Sequence, residues 1–330
     1  MGSALLWLAI LVVLAGAAVV WSATPWPKLL FFYYQLYQAQ RSGSRFYAEC
    51  PTASKNIVHT PGMPKLDVYR PAAGSGHPVI IYVYGGSWSG GSKELYAPAA
   101  QRLLPASFVL VVPDYTLHPA AGYPRQTEEI ASAIAWTLDH VAEYGGDPSR
   151  VVLVAQSAGA QISGLALLEP RWLAAHGHRL AELRGFVGIS GVYDFEALLM
   201  FHAANPRAHQ LILNVLGGAV NARAASPITY VAAGIPPVLL IHGDADQTVP
   251  ASATLAFYER LRAAGVPSEM VIYPGAHHAD ILFRAMTEQP PRLFNDIIGF
   301  TRRCTADGGQ TAASSDQPSE SLASPAPLAT

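Results

Sequence analysis

The sequence predicts an α/β fold: a mostly parallel sheet of about eight strands, helices on both faces, and a small helical cap insertion. Three observations carry that expectation. Eight short segments read as strands, and several are near-continuous apolar runs of the kind buried on both faces of a parallel sheet. Most of them alternate with stretches of helical periodicity. Three of the expected strand ends run straight into loops rich in Ser, Asp, His and Gly, where such folds gather their chemistry.

In chain order the strand candidates are Ile57–Thr60, Leu66–Arg70, Val79–Tyr84, Phe108–Val112, Val151–Ala155, Phe186–Ser190, Val238–His242 and Met270–Tyr273. Thr127–Tyr144 places Ile130, Ile134, Leu138 and Val141 on one face, the spacing of an amphipathic helix packed on a core. Ala251–Ala264 and Pro291–Arg303 read the same way, and Ala160–Leu168 is a helix-like stretch. Asp194–Gly218 falls between two strands as the cap, and its apolar residues, among them Phe195, Leu198, Met200, Phe201, Leu211 and Leu216, serve either an acyl pocket or ordinary packing.

Two appendages flank this domain. Residues 1–28 form an N-terminal anchor or signal segment, with Ala4 to Trp21 free of charge and about long enough to span a bilayer. Trp21 and Trp26 stand where interfacial aromatics belong. No basic residue precedes the apolar run, which favours an uncleaved single-pass membrane anchor over a secreted or periplasmic product of cleavage after Ala15-Gly16-Ala17. Residues 29–54 are an interfacial linker, 55–304 the main domain with its cap near 194–218, and 305–330 a tail of Ala, Ser, Pro, Gly and acid that reads as disorder. A net charge of −2 with no basic stripe excludes a nucleic-acid partner. Charged residues are only 13% and hydrophobic ones 51%, in keeping with a large core plus a membrane-facing piece. Cys50 and Cys304 stand at the edges of the domain as two free thiols or one disulfide.

The chemistry starts at Val-Val-Leu-Val-Ala-Gln-Ser-Ala-Gly, residues 151–159. A strand followed by small–x–Ser–x–Gly and a helix forces Ser157 onto a tight turn with its hydroxyl exposed. Ala155 replaces the usual first glycine. A serine nucleophile needs a base, and the base needs a carboxylate. Downstream, His242-Gly243-Asp244-Ala245-Asp246-Gln247-Thr248-Val249-Pro250 follows one strand and Pro274-Gly275-Ala276-His277-His278-Ala279-Asp280 follows another. Either Asp244 or Asp246, and either His277 or His278, suits the part on sequence grounds. Two adjacent histidines near Asp280 also suggest metal ligation, but helical His spacing and a cysteine pair are both lacking, so no metal and no cofactor are expected.

These segments resemble the α/β-hydrolase fold, in the esterase/lipase branch that includes hormone-sensitive-lipase-like carboxylesterases, kynurenine formamidases and prenylcysteine methylesterases. The resemblance covers about residues 55–303 and includes Asp114-Tyr115-Thr116-Leu117-His118-Pro119 and Tyr144 to Arg150. It implies Asp246 as the acid, His278 as the base and Ser157 as the nucleophile of a carboxylesterase. It also implies an oxyanion hole from the amides of Gly86, Ser87 and Ala158. The loop Tyr84-Gly85-Gly86-Ser87-Trp88 stands where the family has H-G-G-G-W, so Tyr84 replaces a histidine and Ser87 a glycine. The expected partner is a small-molecule ester, lipid-like if the membrane segment delivers it. Amidase, formamidase and prenylcysteine methylesterase activity are the alternatives within this chemistry, and a non-catalytic binding protein is the alternative outside it.

Overall fold

Val79, Ile80, Ile81 and the run Val109, Leu110, Val111, Val112 are all fully buried, and they build the middle of the molecule. β-Branched residues pack well on a pleated surface covered from both sides, and these segments are strands for that reason. The computed structural model of the protein describes residues 41, 43–278, 281 and 292–306. The strands are β1 (Ala53–Ile57), β2 (Leu66–Tyr69), β3 (His77–Val83), β4 (Val109–Pro113), β5 (Gly146–Gln156), β6 (Leu183–Ile189), β7 (Val238–Gly243) and β8 (Ser268–Tyr273). They form one sheet in the order β1-β2-β4-β3-β5-β6-β7-β8. The pairs β1–β2 and β2–β4 are antiparallel, and every pair from β4 to β8 is parallel.

Helices cover both faces. On one side α1 (Pro98–Leu103) packs with α8 (Arg292–Thr305), which lies on β3, β5 and β6. On the other α2 (Arg125–His140) packs with α3 (Ala158–Leu168) and α4 (Arg171–Ala174). The cap holds α5 (Phe195–Phe201) and α6 (Pro206–Leu216), and α7 (Ala251–Ala263) lies on β7 and β8. The Asp194 carboxylate caps α5 by accepting from Glu196 and Ala197 N–H, and Asn205 caps α6 with Pro206 behind it. From β3 the chain passes to β4 on one side and then crosses back over β3 to β5 on the other. The crevice at the carboxyl ends of β3 and β5 is therefore a topological switch point, the usual place for a ligand in an open parallel sheet.

Seven of the eight strands expected from sequence match those observed to within a few residues at each end, and the first, which shares only Ile57 with its observed counterpart, is corrected. It runs Ala53–Ile57, not 57–60. An edge strand is defined by its pairing with β2, which Ala53 and Ser54 make, and not by apolar character. Asn56 has φ 56°, and its N–H donates to Asp67 Oδ1 at 2.7 Å, which kinks the ladder before Ile57. The tail boundary also moves. α8 continues to Thr305, whose carbonyl accepts from Arg150 Nε at 2.8 Å. Cys50 and Cys304 are both free thiols, and burial pushes the Cys304 thiol up to about 11, with Glu269 adding to the shift and Arg303 opposing it. Among the described residues no helix is long and apolar enough to cross a membrane. The anchor read at residues 4–21, the interfacial linker up to residue 40, Asp280 and the tail beyond 306 lie outside the described residues.

Candidate active site

β5 ends at Gln156 and α3 begins at Ala158, so Ser157 alone makes the turn between them. Its φ of 53° and ψ of −122° lie where L residues seldom go. The surroundings hold it there. Ser157 N–H donates to the Ile189 carbonyl at 2.8 Å, and the Ser157 carbonyl accepts from Ala160 and Gln161. A Cβ on Gly159 would stand 2.2 Å from the Tyr84 carbonyl oxygen and 2.5 Å from that of Val83. Ala155, by contrast, pairs with Val83 and Gly188 in the ladders and is fully buried without conflict. The second glycine of the motif is thus required and the first is replaceable. Gly159→Ala is expected to lose about 1–3 kcal/mol by overpacking. Thermal unfolding should show Tm falling by about 2–4 °C for each kcal/mol in a domain of this size.

The loop after β7 and the loop after β8 meet over this turn. His278 Nε2 lies 2.8 Å from Ser157 Oγ, and His278 Nδ1 lies 2.7 Å from Asp246 Oδ2. An ionised carboxylate only accepts, so Nδ1 carries the proton and Nε2 is left to accept from the serine hydroxyl. Asp246 Oδ1 takes the N–H groups of Thr248 at 2.8 Å and Val249 at 2.9 Å. Burial alone would raise this carboxyl. The hydrogen bonds from His242, His278 and Val249, with the His278 charge, outweigh it and hold Asp246 well below the usual carboxylate range. The group stays ionised at any working pH.

Of the paired sequence alternatives, the structure brings Asp246 and His278 to Ser157 and uses the other two to join the loops. Asp244 Oδ1 accepts from Gly275 N–H at 2.6 Å. His277 Nδ1 lies 2.8 Å from the Ala245 carbonyl, and Ala245 N–H donates to the Ala276 carbonyl at 3.2 Å. Gly243 permits the closure, since a Cβ there would lie 2.1 Å from the Ala276 oxygen. His242, which opens the same loop, also reaches the acid. Its ring is fully buried, with Nδ1 2.7 Å from Thr254 Oγ1 and Nε2 3.1 Å from both the Val249 carbonyl and Asp246 Oδ2. It is a second imidazole bonded to the acid, beside His278. Nothing in the local sequence signals that, because its partner Thr254 lies in α7.

The three residues expected to supply oxyanion donors border the same turn. Ala158 is the first residue of α3, where amides lack an intrahelical acceptor and the helix dipole favours negative charge. Gly86 and Ser87 lie on the exposed loop after β3, and a Cβ on Gly85 would lie 2.8 Å from the Ser157 Cβ, so that loop rests directly on the turn. Ser87 adopts φ 51° and Trp88 φ 59°, a costly conformation for a bulky residue. Trp88 is held from four directions. Its Nε1 donates to Gln161 Oε1 at 2.8 Å, its carbonyl accepts from His118 N–H at 2.8 Å and Gln126 Nε2 at 3.1 Å, and its ring stacks on Phe195 of the cap at 5.3 Å. The cap touches the acid loop as well, through His202 Nε2 and the Thr248 carbonyl at 2.9 Å. In α5 and α6, Phe195, Leu198, Ile212, Val215 and Leu216 are core packing, whereas Met200 is 79% and Phe201 45% exposed. Among the described residues no group of three His, Cys, Asp or Glu side chains is disposed to hold a metal.

A family model described as BD-FAE matches residues 66–261, which spans Ser157 and Asp246. A probable isoprenylcysteine alpha-carbonyl methylesterase of Arabidopsis thaliana is 27% identical over 77% of this chain and 56% of its own length. An esterase of Mycobacterium tuberculosis named LipQ is 31% identical over 76% of this chain and 63% of its own. The chain thus spans about three-fifths of the curated relatives it matches. Among solved structures, a hyperthermophilic esterase of Pyrobaculum calidifontis superposes with a TM-score of 0.69, at 21% identity over 82% of this chain and 93% of that one. A truncated carbohydrate esterase from gut microbiota gives 0.65, at 22% identity over 77% of this chain and 96% of that one. Both likenesses are of fold: the eight-stranded α/β-hydrolase sheet with its helical layers.

Proposed function

This chain belongs to the BD-FAE family, and we propose that it is a serine carboxylesterase working through Ser157, His278 and Asp246. One observation carries the reading: a single imidazole bridges the Ser157 hydroxyl at 2.8 Å and the Asp246 carboxylate at 2.7 Å. That is the relay a serine nucleophile requires. His278 takes the hydroxyl proton as Oγ attacks the ester carbonyl. The amides of Gly86, Ser87 and Ala158 receive the tetrahedral oxyanion. His278 then protonates the leaving alcohol, and water repeats the sequence on the acyl-enzyme. Asp246, held ionised, fixes the tautomer and stabilises the imidazolium.

The finer reading, a lipid-like ester met at a membrane, rests on two features. Residues 4–21 carry no charge, and the cap presents Met200 and Phe201 to solvent. The names of the plant relatives point the same way. A graded panel of p-nitrophenyl esters, a prenylcysteine methyl ester and a formyl amide, assayed on wild-type and Ser157→Ala protein, separates these substrates. Ester turnover that disappears with the serine is the expected result. Preference for the formyl amide would move the protein to the amidase reading, and equal ester rates for the two proteins would overturn both.

A further inference from the structure

The loop carrying Gly86 and Ser87 is closed at both ends by one carboxylate oxygen. Tyr84, the first residue after β3, donates its hydroxyl to Asp114 Oδ1 at 2.8 Å. Lys93, nine positions on, donates its backbone N–H to the same Oδ1 at 2.8 Å. Asp114 follows β4, so this oxygen ties the two stems of the loop to the neighbouring strand. Each component is fixed in turn. The Tyr84 ring is buried between Tyr96 and Tyr115, at centroid distances of 5.2 and 4.8 Å, and its carbonyl accepts from the Tyr115 hydroxyl. The Lys93 ammonium, only 1% exposed, lies 3.6 Å from Asp67 Oδ1 on β2 and 3.8 Å from Asp114 Oδ2, and bonds Glu94. Asp67 is fully buried and takes the Asn56 N–H.

The geometry within the loop shows what such a closure is for. Between the two stems, Gly86, Ser87, Trp88 and Gly91 all have positive φ, and Gly86 O accepts from both Ser89 and Gly90 N–H. A loop with that many left-handed residues relaxes unless its surroundings over-determine it. Burial, with the Asp114 charge beside it, pushes the Tyr84 phenol far above its ordinary range, so it remains a donor at any working pH. The side chain at position 84 also explains how the chain dispenses with a histidine there: the phenol spans to Asp114 from within an aromatic stack.

We propose that Tyr84, Lys93 and Asp114 are positioning residues, a buried clasp that holds the Gly86 and Ser87 amides where the oxyanion forms. This rests on the esterase reading above. Oxyanion donors act only when preorganised, and displacement of an active-site group by about 1 Å costs on the order of a hundredfold in rate.

Tyr84→Phe is the test, because it keeps the ring, the stack and the backbone and removes one O–H. Steady-state ester kinetics should show kcat lower by about 10- to 100-fold with KM within about twofold. Amide hydrogen exchange should accelerate in residues 85–92 and stay unchanged in β5 and α3. A kcat within twofold of wild type, or unaltered exchange in 85–92, overturns the proposal. Faster exchange throughout the domain also overturns it, by making the hydroxyl a general stability contact. If wild-type protein hydrolyses no ester, the functional reading fails and takes the catalytic role of the clasp with it, while the exchange arm still decides whether Tyr84 holds the loop.

Discussion

Ser157→Ala is expected to lower kcat for ester hydrolysis by about 10⁴-fold or more, with the protein still folded. The size follows from what the hydroxyl does. In the proposed mechanism the acyl-enzyme forms on this oxygen, so its removal stops the first step. General acid–base transfer alone is worth about 10²–10⁴-fold, and residues that act as one unit fail together, so each single loss approaches the loss of all. The fold should survive because the side chain is small and its hydroxyl bonds the imidazole of His278. The backbone bonds to Ile189, Ala160 and Gln161 that hold the turn do not involve it. Burst kinetics and thermal unfolding on the same preparation check both halves. A Tm within a degree or two of wild type, together with residual turnover above about 1%, would remove Ser157 from the role assigned to it.

Asp246→Asn is expected to cost about 10³–10⁴-fold in kcat at neutral pH. The asparagine keeps the volume but presents an amide that can place a donor toward His278 Nδ1. The imidazole is then free to carry its proton on Nε2, where it no longer accepts from Ser157. Stability should respond in a pH-dependent way. The carboxyl pKa is depressed in the folded state, so its ionised form stabilises the fold above the ordinary carboxylate pKa of about 4. That contribution is lost as pH falls through the folded value. The stability difference between wild type and Asp246→Asn should therefore be widest near neutrality and narrow in acid below about pH 4. Chemical denaturation at several pH values measures it. A difference that grows in acid would contradict the assigned charge state.

Both effects rest on long-range contacts, and these separate what the sequence reveals from what it conceals. The buried strands β3 to β7 were legible because parallel strands covered on both faces need unbroken apolar runs. Edge strand β1 was not, since Ala-Ser-Lys-Asn-Ile is ordered by its neighbour and not by burial. Ser157, Asp246 and His278 stand out because each follows a strand in a motif of fixed spacing. What spacing left undecided was how adjacent candidates divide the work. Asp244 and His277 turn to the partner loop's backbone, whereas Asp246 and His278 bond each other. The second imidazole beside the acid, His242, has no local signature, because its use depends on Thr254 twelve residues away and on the curl of the acid loop. The closure of the 84–93 loop by Asp114 was invisible for the same reason: a bond between residues thirty apart follows from strand order, not from any local pattern. In the cap, residue type alone left pocket lining and core packing open, and it is the helical faces that divide the apolar residues between core and surface.

The most direct test of the central claim is covalent trapping. Wild-type protein treated with a fluorophosphonate and mapped by peptide mass spectrometry should carry one phosphonyl group, on Ser157, and lose esterase activity in step with its incorporation. His278→Ala protein should label far more slowly under the same conditions. Full inhibition with Ser157 unmodified, or undiminished labelling of Ser157 in the absence of His278, would contradict the account.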